Sequence, residues 1–493
     1  MERNSAFEYQ EKQSNRFWVA FFLGVAGVAA AMALSPAAGG SQNWIILAAG
    51  VAFMAGALAA YRQIQNKSYK ASSAGNVIAV LLLAGILLRL WLAAAVYGYQ
   101  NDIGCWIGWS NSAYHDGLDR FYTSGQFADY PPLYIYVLYF LGAASDFFHI
   151  PITVLTVKLP GIICDCITAL LLYNLARQKF GPQAGSLPKP GEESALPVLA
   201  FACVMLNPTI IMNSSVWGQI DIIYTLMAVL CIYLLIHRKI GFAIVLFALA
   251  LLLKVQSVLI APVILFVLIE GVKNPETRKN TLLNLLAGAA AAIGAALLLI
   301  TPFNGGRTYT WIIEQYGKSL GVYQYVTVNG FNLYGLFHLN WVSLKETFLG
   351  QTYLFWGILG EIAVFAYSAW LFVMNPRGKN LFNILAFIVL GVYMFAQGMH
   401  ERYSFAAPVL LLFSWCVTRD RRVFFAALIN SAAILANMCV ALQYDGGHWI
   451  PYELVAPLSA ANLAAFAYAA VVITKIAVEN KNTKKGKVGY EHE

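Results

Sequence analysis

Apolar runs long enough to cross a bilayer recur from one end of this 493-residue chain to the other, and they leave little room for any other architecture. A spanning helix needs about 20 largely apolar residues, because the hydrocarbon core is about 30 Å thick and a helix rises about 1.5 Å per residue. By that measure, spans are expected near residues 17–34, 43–61, 76–98, 152–176, 195–214, 219–236, 240–254, 256–272, 281–301, 352–374, 381–397, 402–418, 423–442 and 456–477. The expected fold class is an all-α polytopic membrane protein with about fourteen transmembrane helices and further helices at the outer interface. A hydrophobic share of 59% beside 11% charged residues suits a chain whose solvent is the bilayer. The polar start, MERNSAFEYQEKQSNR, has no small-residue cleavage site, so the first run reads as a retained helix rather than a signal peptide.

Charge orients the spans. The net charge of +8 comes from short basic clusters between apolar runs, not from one patch, which argues against nucleic-acid binding. With the N-terminus in the cytoplasm, the even-numbered turns of the chain collect most of the basic residues: Arg62, Lys67 and Lys70; Arg177, Lys179 and Lys189; Arg238 and Lys239; Lys273, Arg278 and Lys279; Arg377 and Lys379; Arg419, Arg421 and Arg422; and a lysine-rich tail. Counting the apolar stretch 131–149 as a span would invert every later loop. It is therefore expected to lie at, or dip into, the outer interface. Two large segments, 99–151 and 302–351, then face outward. The second is rich in Tyr, Asn, Gly and Trp, suited to sugar or lipid-headgroup contact or to an interfacial aromatic belt. The seven cysteines lie mostly inside apolar runs and read as small buried residues. The pair Cys164 and Cys166 is too close for half of a zinc site, and no metal cluster or cofactor motif is visible.

On this topology one membrane face carries nearly all the unusual polar residues: Asp102, Asp129 and Tyr130, the WGQID stretch with Trp217, Gln219 and Asp221, Lys254 with Gln256, and His400-Glu401-Arg402. Arg89 lies inside the third span, and Lys158 and Asp165 lie inside the fourth. Charged groups inside spans are costly and mark function more often than not. Plain structural roles compete: Asp221 as a helix cap, Lys254 and Arg402 snorkelling, Arg89 and Asp165 as a neutralising pair, Glu401 balancing Arg402. The clustering on one face describes a site for an anionic substrate.

In order, the chain shows an Asp just after an early span, DYPPLYIY, KLPGIICDCITALLLYNLAR, LNPTIIMNSSVWGQIDIIYTL, LALLLKVQSVLIAPV and HERY. This series resembles the GT-C superfamily of polytopic glycosyltransferases. It is similar to the lipid-phosphate-sugar-using mannosyltransferases and glucosyltransferases of the endoplasmic reticulum and to their bacterial relatives. The resemblance covers roughly Arg89 to Tyr403. It implies transfer of a mannose-like or glucose-like hexose from a polyprenyl-phosphate sugar to an extracytoplasmic acceptor, which could be a glycan, a lipid or a protein. It implies Asp102 as general base, with inversion at the sugar, and Lys254, His400 and Arg402 on the donor phosphate. Arg89, Asp129, Tyr130, Trp217, Gln219, Asp221, Gln256 and Glu401 complete the implied substrate-binding set. General-base attack with cations neutralising the leaving phosphate needs no metal. The chain departs from the family pattern in two ways: two spans precede the module, and Asn101, not an acidic residue, precedes Asp102. Asp116 and Asp129 are the substitute bases. The expected division is 1–75 as a two-helix extension, 76–301 as the catalytic module including loop 99–151, 302–351 as an outer loop, and 352–493 as a C-terminal module with HERY and a basic cytoplasmic tail. A lipid-linked glycan ligase or polymerase, and a transporter or flippase, are the competing readings. A transporter is expected to place its charges near the bilayer midplane in repeated halves, and no such halves are visible.

The topology is checked by cysteine accessibility. A membrane-impermeant thiol reagent added outside should label Ser343→Cys and spare Ser186→Cys; labelling of both from the same side overturns the orientation.

Overall fold

The structure, a computed structural model of the full chain, describes residues 2–67, 74–180, 194–375, 380–445, 447 and 449–489. Lys70, Ser186, Lys189, Arg377 and Lys379, which the sequence assigns to polar loops, fall outside these residues. In chain order the helices are α1 (Glu2–Leu34), α2 (Gln42–Lys67), α3 (Ala74–Ala95), α4 (Gln100–His115), α5 (Leu118–Phe121), α6 (Pro132–Phe148) and α7 (Val154–Phe180). They continue with α8 (Leu196–Met205), α9 (Pro208–Ile211), α10 (Asp221–Ile236), α11 (Ile240–Leu253), α12 (Ala261–Lys273), α13 (Pro275–Ile300) and α14 (Trp311–Gly321). The last are α15 (Leu333–Leu336), α16 (Tyr353–Met374), α17 (Leu381–Phe395), α18 (Ala406–Thr418), α19 (Arg421–Gln443) and α20 (Tyr452–Gly489). Strand pairing is confined to two-residue pieces: β1 (Thr327–Val328) pairs in parallel with β4 (Met399–His400), and β2 (Thr347–Phe348) pairs antiparallel with β3 (Gln351–Thr352). The protein is an all-α polytopic membrane protein.

Among the described residues, 9 helical stretches are long and apolar enough to cross a bilayer, the first of them, Ser14–Asn66, covering two of the expected spans. The expected spans 219–236, 240–254, 381–397 and 402–418 fall instead on α10, α11, α17 and α18, apolar helices of 16, 14, 15 and 13 residues. At about 1.5 Å per residue these reach about 20–24 Å, shorter than the hydrocarbon core of about 30 Å. The shortening has a local cause. Each of the four stops where the chain leaves helical geometry to present polar residues: Gly218 (φ 91°) and Gln219 before α10, the extended Lys254 after α11, and the turn through His400 and Arg402 between α17 and α18. The stretch read as 131–149 is α6, 17 residues long and likewise apolar. It runs alongside α4 in parallel, with Trp106 against Tyr134, the Ser110 hydroxyl donating to the Leu138 carbonyl at 2.7 Å, and Gly142 close under Tyr114.

Small and polar residues hold the helices together, as expected where lipid tails provide no driving force for burying leucine. Gly241 on α11 and Gly288 on α13 touch backbone to backbone, and a Cβ on Gly288 would lie 2.7 Å from the Gly241 Cα. Buried Arg89 on α3 donates to Asp165 on α7 at 2.8 Å and to the Met205 carbonyl at the end of α8, while Ser214 donates to the same carboxylate at 2.6 Å. Helix α2 packs against α19, with Gly50 against Leu435 and Tyr61 stacked on Phe424 at 4.7 Å.

The segment 302–351, expected to be a sugar-facing loop or an aromatic belt, sends residues 327–336 into the bundle. Asn437 on α19 is the anchor: its side-chain oxygen accepts from the Phe331 amide (2.8 Å) and the Tyr393 hydroxyl (2.5 Å), and its Nδ2 donates to the Asn329 carbonyl (2.8 Å). Asn332 adds a bond from its Nδ2 to the Tyr393 carbonyl at 3.0 Å. This plug carries β1, and β1 in turn fixes His400. Replacing Asn437 by Leu leaves a buried amide, a hydroxyl and a carbonyl without their partner, each worth about 1–3 kcal/mol. Asn437→Leu should therefore lower thermal stability in detergent by several degrees; an unchanged melting temperature would show that the plug does not depend on this side chain.

Candidate functional site

Two aspartates open the site because each occupies the first turn of a helix, where unpaired backbone amides favour a carboxylate. Asp102 is in the first turn of α4, and Asp221 is the first residue of α10. Ahead of α10, the buried turn Met212–Trp217 has π-helical geometry, and the Asn213 carbonyl accepts from both Gly218 (3.1 Å) and Gln219 (2.8 Å). That turn throws Trp217 and Gln219 toward α4. Trp217 Nε1 donates to Asp102 Oδ2 at 2.8 Å, and Gln219 Nε2 donates to the same oxygen.

Arg402 lies across the centre. Its Nη2 is 3.9 Å from Asp102 Oδ2, its Nε is 3.7 Å from Asp221 Oδ2, and its Nη1 donates to Glu401. Its guanidinium also covers the Trp217 ring at 5.5 Å. Lys254, held by the break between α11 and the turn Val255–Ile260, donates to Asp221 Oδ1, and Asn213 donates to Asp221 Oδ2 at 2.8 Å. Tyr130 and Tyr224 flank the Lys254 ammonium at 5.6 and 5.7 Å. Tyr130 also donates to the Gln219 side-chain oxygen at 3.4 Å. His400 sits between the rings of Tyr323 (4.4 Å) and Tyr403 (4.8 Å), with Nδ1 3.9 Å from Glu401 and a buried Nε2 that has no hydrogen-bond partner.

Of the residues expected from sequence, Asp102, Tyr130, Trp217, Gln219, Asp221, Lys254, His400, Glu401 and Arg402 meet in this one cluster. Asp129 adjoins it: its carboxyl feels the charges of Asp102, Lys254 and Arg402, and its main-chain oxygen accepts from Ser319 on α14 at 2.6 Å. Gln256 is half-buried in the turn after Lys254, and no contact joins it to the carboxylates. Arg89 is elsewhere: its guanidinium is fully buried against Asp165 and backbone carbonyls, the neutralising pair that was one of the two readings. Asp116 caps the far end of α4 and is exposed, some 14 residues or about 21 Å along the helix from Asp102. Asn213, Tyr224 and Tyr323 were not anticipated. Only Asn213 carried a signal, a buried amide one turn before Trp217 in the same motif.

Electrostatically the cluster sets two basic side chains, Lys254 and Arg402, against four carboxyl groups. Burial raises Asp129 to about 6 and also raises Glu401, so both take up a proton more readily than an exposed carboxyl does. Burial, with Arg402 and Lys254 nearby, holds His400 well below the usual imidazole range. At neutral pH His400 is an uncharged hydrogen-bonding group, not a third cation. Among the described residues, no group of three or more His, Cys, Asp or Glu side chains is arranged to hold a metal ion. Asp102 is the open carboxylate of the set, its side chain 21% exposed against 2% for Asp221 and 5% for Glu401. Its Oδ2 is fully engaged by Trp217 and Gln219, which leaves Oδ1 for a ligand.

Asp129 gives a pH test with a definite sign. A carboxyl raised in the fold binds a proton that the unfolded chain releases near its ordinary value, so its burial lowers stability progressively as pH rises from about 4 through 6. Asp129→Asn should therefore stabilise the fold by up to about 3 kcal/mol at pH 7.5, read as a higher melting temperature, and by only about 1 kcal/mol at pH 4.5. Equal effects at both pH values would show that burial does not raise the Asp129 carboxyl.

Comparison with curated proteins gives no match. A family model described as GPI transamidase subunit PIG-U matches residues 112–439, well over half of the chain. The matched stretch holds Asp129, Tyr130, the WGQID turn, Lys254 and His400-Glu401-Arg402, and begins after Asp102. By this match, the chain belongs to the PIG-U family.

Proposed function

We propose that the protein is a membrane glycosyltransferase that moves a hexose from a polyprenyl-phosphate sugar to an acceptor hydroxyl on the extracytoplasmic face, with Asp102 as general base. The observation that carries this reading is the way Asp102 is held. Two donors from the WGQID turn fix one carboxylate oxygen, and the other is left free at the open edge of a buried charge cluster. A base needs that combination of fixed geometry and an unoccupied lone pair. In the reaction, Asp102 Oδ1 takes the proton from the acceptor hydroxyl as that oxygen attacks the anomeric carbon. The bond from that carbon to the phosphate oxygen breaks, and the phosphate leaves with the electron pair on the opposite side, inverting the centre. Arg402 and Lys254 stabilise the charge that develops on it. Neutral His400, through its free Nε2, and Tyr130 suit sugar hydroxyls or phosphate oxygens. The GT-C-like fold, the module boundaries at residues 75, 301 and 351, and the outward face of the site belong to this proposal. They rest on the resemblance in sequence and on the distribution of basic loops.

A second reading has one specific observation in its favour. Lys254 and Arg402 are already paired with Asp221, Asp102 and Glu401, so a donor phosphate must displace a carboxylate to reach them. The family is described by a transamidase subunit. On that reading the site holds a lipid-linked glycan for a partner and transfers nothing itself.

Donor binding and single-turnover transfer separate the two. Asp102→Asn should bind a polyprenyl-phosphate hexose as the wild type does and lose about 10²–10⁴ in turnover. Arg402→Ala should weaken binding, and Arg402→Lys should restore only part of it, because the planar fork is lost. Transfer at the wild-type rate by Asp102→Asn overturns the base assignment. Tight binding by wild-type protein without any transfer or hydrolysis favours the holding role.

A further inference from the structure

Lys158 lies on α7, inside the bundle, with a side chain that is 1% exposed. Among the described residues no carboxylate pairs with it: Asp165, on the same helix, is taken by Arg89 and Ser214. Instead its ammonium hydrogens go to three main-chain carbonyls, Val96 at 2.7 Å, Ser215 at 3.0 Å and Val216 at 3.1 Å. Val96 follows the last residue of α3, and Ser215 and Val216 end the turn Met212–Trp217. Carbonyls at helix ends lack helical partners and carry partial negative charge, so an ammonium is favoured where two such ends converge. These two ends lead directly into the residues of the site. Val96 precedes the bend into α4 and Asp102; Ser215 and Val216 precede Trp217 and Gln219.

The seam between them is tight. Tyr99 donates its amide to the Trp217 carbonyl at 3.3 Å, and Trp106 Nε1 donates to the Gly218 carbonyl at 3.0 Å. Gly98 has φ 92°, and any Cβ there would strike the Trp217 carbonyl. A Cβ on Gly218 would lie 3.0 Å from Lys158 Cε. We propose that Lys158 is a positioning residue: its ammonium staples the strand entering α4 to the WGQID turn, and so sets the reach from Trp217 and Gln219 to Asp102. This rests on the reading of Asp102 as general base. Lys158 touches no substrate in this scheme; it acts through the two donors that fix Asp102 Oδ2.

The test uses full-length protein in lipid nanodiscs with radiolabelled polyprenyl-phosphate mannose and polyprenyl-phosphate glucose, measuring donor affinity and single-turnover rate from pH 5 to 9. Lys158→Met keeps the bulk and removes the three bonds. It should leave donor affinity within about threefold and cut turnover about 10–100-fold, the scale of loss from a displacement near 1 Å. The acid limb of the pH–rate profile should move to higher pH, because Asp102 loses donors that favour its charged form. Lys158→Arg should restore part of the rate. If Lys158→Met does not accumulate, Lys158→Gln, which keeps one donor, and Trp106→Phe, which removes the tie to Gly218, should give smaller losses with the same direction of shift. Normal turnover and an unmoved profile in these variants, beside an inactive Asp102→Asn, overturn the positioning role. Equal loss of affinity and turnover without a shift does so too, since that marks a general structural role. An active Asp102→Asn, or a wild type that turns over neither donor, overturns the transferase reading and this inference with it.

Discussion

Arg402 is the charge on which the site is built. A largely buried guanidinium needs opposite charge on several sides; here Glu401 accepts its hydrogen bond, and Asp102 and Asp221 lie at ion-pair distance. Lys254 completes the arrangement through Asp221. Taking charges out of water is tolerable only when each is paired and hydrogen-bonded. The broken and shortened helices α10, α11, α17 and α18 are the structural consequence: each ends early so that its polar terminus reaches this centre. A bundle of uninterrupted spans would have nowhere to place these side chains except in lipid.

The same pairing defines what a ligand must do. An anionic headgroup gains from Arg402 and Lys254 only by taking the place of a carboxylate. Two of the four carboxyl groups, Asp129 and Glu401, already lean toward their neutral forms through burial. A proton taken up by either of them as an anion enters lowers the cost of admitting a phosphate. The affinity of the site for an anion is thus tied to the protonation of groups that need not touch it.

Much of this was legible in the sequence, and the limits are physical. The apolar runs located the helices, because bilayer thickness sets a length that periodicity cannot hide. The WGQID turn and HERY identified a site because polar residues at apolar helix ends are costly. Arg89 shows the limit: a charge inside a span signals importance but not whether its partner is a substrate or another side chain, and Asp165 was close enough to be that partner. The plug at residues 327–336 was not visible. Its asparagines resemble those of any polar loop, and only the distant Asn437 shows that they are internal. Asp102 lies outside the stretch matched by the family model, so the role proposed for it draws on geometry: Trp217 and Gln219 reach it across more than a hundred residues of chain.

Asp221 and Lys254 sit at the open end of one helical hairpin, α10 and α11, only 33 residues apart in the chain. During synthesis this hairpin leaves the ribosome as a unit, and its acid and base can neutralise each other before anything downstream exists. Arg402 arrives later by roughly 150 residues. In order of synthesis, the hairpin that carries its own acid and base is therefore complete before Arg402, the cation shared with Asp102 and Glu401, exists.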